Sequence, residues 1–133
     1  MIERIWIYEG YCQRIVDGDT IVADIDQGMS HWAIKQYIRL AGINAPELSN
    51  PDGSGQLAKQ YMETLLAAGT GIWLATVEYH EFEKYGRVLA VIYTAPPSSI
   101  PWAGADLATI LPGSINQEMI DSGHAVAYDP SHL

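Results

Sequence analysis

The chain has little covalent bracing and little positive charge. One cysteine, Cys12, in 133 residues excludes an internal disulfide and any metal site built on clustered cysteines. A lone cysteine favours a reducing compartment only weakly. No apolar run approaches the roughly 18 residues that a membrane-crossing helix needs. The opening Met-Ile-Glu-Arg-Ile-Trp has neither a basic flank before an apolar stretch nor a cleavage-like site. These absences lead to the expectation of a cytoplasmic protein with no membrane partner. Lysine and arginine number only 7 against 16 acidic residues, a formal net charge of −9. Charge alone therefore argues against a nucleic-acid partner, because phosphate binding normally rests on a basic field. The shortage is uneven: Arg14, Lys35, Arg39, Lys59, Lys84 and Arg87 carry most of the positive charge, and no Lys or Arg follows Arg87.

What is present is the material for a core. With 48% hydrophobic and 17% charged residues, the chain can bury an interior, and its length suits one domain over residues 1–133. Ile21, Ala23 and Ile25 alternate with Val22, Asp24 and Asp26, the period-2 pattern of a half-buried strand. A turn around Gly28 leads to a second such run, in which Ile34, Ile38 and Leu40 are expected on one face and Lys35, Tyr37 and Arg39 on the other. The segment before them, residues 2–16, is also β-rich. Helical spacing begins after the 49–55 cluster: Leu57, Ala58, Tyr61, Met62, Leu65 and Leu66 form one stripe, with Asp52 or Ser54 as cap. Strands are expected again at 72–79 and 88–93, then a proline-rich loop at 96–101, then a helix opened by the Ser114/Gln117 pair and ended by Gly123. Three strands, a helix, two strands and a final helix is the order of a five-stranded OB-fold barrel, mainly β with two or three helices. An α+β sandwich is the alternative.

Three clusters carry chemistry. Asp17-Gly18-Asp19-Thr20 sets two carboxylates around a glycine at a strand entry. Residues 38–47 run from a strand into a turn and bring Arg39, Asn44 and Glu47 to one strand end. Lys84-Tyr85-Gly86-Arg87 is a turn entering the next strand. Carboxylate and amide oxygens of Asp19 and Asn44 suit a hard cation such as calcium. Glu47 is placed to orient and deprotonate a water. Two arginines can clamp a phosphate and neutralise charge developing on it. Asp17 reads as a turn former. The four histidines lack paired ligand spacing, and Gly53-Ser54-Gly55 has no following Lys-Ser/Thr to make a phosphate-binding loop.

Taken in order, the strings IVDGDTI (15–21), IRLAGINAPE (38–47), GQLAK (55–59), KYGRVLA (84–90) and SGHAVAY (122–128) resemble the staphylococcal nuclease (thermonuclease) family. The resemblance implies an OB-fold barrel and a calcium-dependent nuclease of DNA and RNA with little base preference, leaving 5′-hydroxyl and 3′-phosphate ends. It implies Arg39, Glu47 and Arg87 as the catalytic trio, Asp19 as a calcium carboxylate, and Lys84 and Tyr85 at the nucleotide's terminal phosphate. Tyr128 corresponds to an aromatic partner after the last helix. Two positions depart from the family pattern. Asn44 stands where a second calcium carboxylate is expected, and Ala45 stands where a threonine lends its backbone carbonyl. One lost charge leads to the expectation of weaker calcium binding. The stretch 94–113 is longer and richer in proline than a minimal family member needs, and no function is assigned to it. The competing expectation is a catalytically weak nuclease-like module that binds nucleic acid or protein, which the acidic balance and Asn44 favour. With the cations confined to the site, the expected partner is a short or single-stranded nucleic acid, bound by a monomer.

Overall fold

The computed structural model describes residues 2, 4–78, 88–97 and 106–128. Along the chain run β1 (Arg4–Asp17), β2 (Thr20–Gly28), β3 (His31–Leu40), a two-residue β4 (Ile43–Asn44), α1 (Ser54–Leu65), β5 (Gly71–Glu78), β6 (Val88–Tyr93), α2 (Leu107–Ile110), α3 (Ile115–Asp121) and β7 (Val126–Ala127). Strands β1, β2, β3, β6 and β5 close into a barrel in that order, and β4 pairs with β7 in a small separate sheet. The mainly β, OB-type architecture with three helices thus agrees with the expectation.

The barrel closes because β1 is long enough to serve two neighbours. Its first half runs antiparallel to β5, from Arg4 opposite Glu78 to Tyr11 opposite Gly71. Its second half runs antiparallel to β2, from Glu9 opposite Asp26 to Asp17 opposite Thr20. Gly10 sits where the two pairings overlap. A Cβ there would lie 2.3 Å from the Asp24 carbonyl oxygen, so a side chain would push the strands apart. The closing seam is parallel, β3 against β6, with Ile38 opposite Val88 and Leu40 opposite Ala90. Inside lie Ile21, Ala23, Ile25, Ile38, Leu40, Leu74 and Ile92, covered at one end by Ala58 and Met62 of α1 and Met119 of α3.

Two helical expectations need correction. Leu57 is 56% exposed, and the buried residues of α1 are Gly55, Ala58 and Met62, so the contact stripe is narrower than the hydrophobic one. No side chain caps α1 either. Its N-cap is Gly53 in the left-handed region, while the Asp52 carboxylate accepts a hydrogen bond from the Ser54 amide at 2.8 Å. In contrast, Ser114 caps α3, its hydroxyl accepting from the Gln117 amide at 3.0 Å. The Gln117 side chain does not complete the reciprocal pair; it donates to Asp121 at 2.8 Å.

The register shifts at several points, and the shift in the middle of β3 reorders the outer face. Ala23 pairs with Gln36 and Ile25 with Ala33, so Ile34 and Lys35 together oppose Asp24. This bulge is closed by the Asp24 carboxylate, which accepts from the Lys35 amide at 2.8 Å, and Lys35 takes a φ of 54°. The extra residue changes the phase. Ile34, expected beside Ile38 in the core, is 59% exposed on the outside, while Ile38 and Leu40 are fully buried.

Candidate active site

The site is built at one end of β3. The turn between β1 and β2 presents Asp19, β3 ends one residue after Arg39, and the chain reverses at Ala41-Gly42 to enter β4 at Ile43. Gly42 has a φ of 79°, the backbone that this reversal requires. The Asp19 carbonyl accepts from the Leu40 amide at 2.8 Å, which ties the turn to the strand end.

Asp19 is 8% exposed, and both of its carboxylate oxygens have partners. One oxygen accepts from the Ala45 amide at 2.8 Å and lies 3.5 Å from the Arg39 guanidinium. The other accepts from the Thr20 hydroxyl at 3.2 Å. Arg39 donates in addition to the Leu40 carbonyl at 2.8 Å and to the Asn44 side-chain oxygen at 3.0 Å. With three acceptors around it, the guanidinium is fixed rather than swinging, and its side chain is 12% exposed. The structure therefore brings together Asp19, Arg39, Asn44 and Ala45, residues up to 26 positions apart.

Glu47 lies in the loop after β4 and is exposed. Its backbone is held tightly: its carbonyl accepts from the Asn50 amide at 3.0 Å, and Gly55 of α1 packs directly on that carbonyl. A Cβ on Gly55 would overlap the Glu47 oxygen at 1.9 Å, so glycine is needed there for the helix to seat the loop. Tyr128 is half-buried, and its amide donates to the Gly42 carbonyl at 2.8 Å, placing it beside the same chain reversal. Lys84, Tyr85 and Arg87 lie outside the described residues.

Thr20 was not singled out by the sequence, although it belongs to the same DGDT string. Its signal was available: a hydroxyl next to a site carboxylate, on a buried strand position that pairs with Arg39. Asn44 also has a role that spacing did not reveal, since its oxygen holds Arg39. As a donor set, the Asp19 carboxylate, the Asn44 amide oxygen and the Ala45 carbonyl suit a hard cation by type. They are poor in charge, and no group of three or more His, Cys, Asp or Glu gathers anywhere among the described residues.

Asp17 has the turn role expected of it, its carboxylate accepting from the Asp19 amide at 3.0 Å. Burial, and then its hydrogen bond to the Asp19 carboxyl, push its pKa up to about 6, against the opposing pull of the Asp19 amide and Arg39. Because the folded value lies above the ordinary one, the fold favours the protonated form. That stabilisation is complete at acid pH below the ordinary carboxylate range and is lost as pH rises through about 6. The expected result is that Asp17→Asn, which keeps the acceptor oxygen, gains on the parent protein as pH rises. Thermal melts of both proteins in EDTA across that range measure it, and parallel curves would count against the assignment.

Residues 37–132 match the family model described as staphylococcal nuclease homologue. The chain belongs to that family. The matched segment begins at Tyr37 in β3 and takes in Arg39, Asn44, Ala45, Glu47, Lys84, Tyr85, Arg87 and Tyr128. Asp17 and Asp19 precede it, and Asp19 joins the matched part through its contacts to Arg39 and Ala45. Among curated proteins, none matches the chain. Membership puts the chain in a nuclease-like family with an OB-type fold, and no helix among the described residues is long and apolar enough to cross a membrane.

Proposed function

We propose that the chain is a calcium-dependent nuclease that hydrolyses phosphodiester bonds of DNA or RNA with little sequence preference. The observation that supports this most directly is the fixed guanidinium of Arg39, held by Asp19, the Leu40 carbonyl and Asn44 at the strand end that leads to Glu47. A preorganised cation of this kind stabilises charge on a phosphoryl group without reorganising during the reaction. Glu47 takes a proton from a water as its oxygen bonds to phosphorus. The bond from phosphorus to the 5′ oxygen breaks, and that oxygen takes up a proton, leaving 5′-hydroxyl and 3′-phosphate ends. Arg39 and Arg87 neutralise the phosphoryl oxygens in the five-coordinate transition state, while Lys84, Tyr85 and Tyr128 hold the nucleotide. Asp19, Asn44 and the Ala45 carbonyl would hold calcium, which supplies Lewis-acid polarisation of the phosphate when bound.

Digestion of single-stranded DNA with millimolar calcium, against an EGTA control, tests the reading. Calcium-dependent release of 3′-phosphate ends is expected; equal digestion in EGTA would remove the metal from the proposal, and no digestion at all would overturn it. A second reading, a catalytically weak nucleic-acid-binding module, is favoured by one contact. The Asn44 oxygen is taken up by Arg39, and one metal carboxylate is missing. Binding without digestion would decide for it.

The metal assignment has its own expected result. Affinity for a hard cation follows ligand charge, so Asn44→Asp should bind calcium about tenfold more tightly or better in calorimetric titration. Equal or weaker binding would place Asn44 outside the metal shell.

A further inference from the structure

Cations are scarce in this chain, yet two of them meet in a groove that the proposed chemistry does not use. Arg14, Val22 and Tyr37 are direct cross-strand partners on β1, β2 and β3, forming one row on the outside of the barrel. The neighbouring row is Thr20 and Arg39. Two residues along a strand is about 7 Å, the scale of one nucleotide in an extended chain. Beyond Tyr37, the bulge turns Lys35 and Ile34 to the same groove, which encloses about 450 Å³.

The groove has a floor, a wall and a charge. Val22, only 4% exposed, is the floor, and Tyr37, 48% exposed, leaves much of its ring open. Arg14 donates to the Tyr37 hydroxyl at 3.0 Å, with its guanidinium carbon 5.7 Å from the ring centre. That contact holds the guanidinium over the groove. The one carboxylate in the lining, Asp24, has both oxygens occupied, by the Lys35 amide at 2.8 Å and the Gln13 side-chain amide at 2.9 Å. Two cations against one internally satisfied carboxylate leave the groove net positive on a molecule of charge −9.

We infer that this outer face extends the site at Arg39 as a track for single-stranded nucleic acid, an inference that rests on the nuclease reading above. Arg14 and Lys35 take the backbone phosphate next along from the one at Arg39, and the Tyr37 ring offers a face to a base. Cations following the backbone beside an aromatic platform are the parts from which single-strand grooves are made. The occupant is a strand and not a free nucleotide, because the row at Arg39 and the row at Arg14 must be bridged by one molecule.

The test compares a labelled deoxythymidine octanucleotide with the dinucleotide, by fluorescence anisotropy in calcium over a salt series, on Glu47→Gln protein to prevent cleavage. Adding Arg14→Gln and Lys35→Gln should weaken octanucleotide binding about tenfold or more and leave the dinucleotide unchanged. The log–log salt slope should become shallower by about 0.7, the share of the one lost phosphate contact. Unchanged octanucleotide affinity and slope would overturn the track, as would a fall in melting temperature with binding unaffected, which would make Arg14 only a cover for Val22. Absence of octanucleotide binding in the parent would overturn it too. Cleavage by the otherwise unaltered chain is read separately: a protein that binds along the track without cutting retains this inference and loses the nuclease reading.

Discussion

Glu47→Gln is expected to lose about a hundredfold or more in turnover on single-stranded DNA, the usual consequence of removing a positioned general base. The substitution is a clean one because Glu47 is exposed and its backbone carbonyl, not its side chain, makes the loop's contacts with Asn50 and Gly55. Its melting temperature should therefore match the parent's. Arg39→Ala is expected to lose a comparable factor or more, with an additional structural cost. It removes the guanidinium beside the nearly buried Asp19 carboxylate, and stranding such a charge costs roughly 3 kcal/mol. Arg39→Lys separates the two effects: it returns a positive charge to Asp19 without the fork that reaches Asn44 and the Leu40 carbonyl together. Stability should recover further than turnover. If folded Glu47→Gln protein cut DNA at the parent's rate, Glu47 would not be the base.

A comparable loss of stability is expected at a residue with no part in the chemistry. Asn116 of α3 is fully buried and makes three hydrogen bonds, donating to the Ala41 carbonyl at 2.8 Å and the Ala90 carbonyl at 3.1 Å and accepting from the Ile92 amide at 2.9 Å. It thereby joins the helix to β6 and to the reversal after β3. In Asn116→Leu the Ala90 carbonyl keeps the Ala41 amide as a partner at 2.8 Å. The Ala41 carbonyl and the Ile92 amide lose Asn116. A buried polar group left without a partner costs about 1–3 kcal/mol, so a loss of about 3 kcal/mol or more is expected in urea denaturation. Gln117→Ala, which breaks an exposed bond to Asp121 on the same helix, should change stability by less than about 0.5 kcal/mol. Equal effects of the two would mean that the buried amide does not bind α3 to the barrel.

Much of this was written locally. The alternation of Ile21, Ala23 and Ile25 specifies a strand wherever the chain folds, because side-chain direction in a strand depends only on residue parity. Ser114 caps α3 from a distance of three residues, an interaction complete within one helical turn. The strings at 38–47 and 84–90 in combination likewise point to the family, since the residue types and their order are properties of the chain.

Other features depended on partners that no local pattern names. Ile34 lies outside because a carboxylate on the neighbouring strand closes a bulge and shifts the phase by one residue, and parity read along one strand contains no record of its neighbour. Leu57 is exposed because the width of the contact stripe on α1 is set by what packs against it, not by how many apolar residues the helix carries. Asn116 looks like any polar helix residue until β6 and the turn at Ala41, up to 75 positions away, bring it three partners. Asn44 is a ligand by spacing and also an anchor for Arg39 by contact. Local sequence determined the elements and the kinds of chemistry available, because backbone parity, capping and side-chain type act over a few residues. Only the closed barrel decided which groups meet, because hydrogen bonds and ion pairs act over about 3 Å between residues that the chain itself keeps far apart.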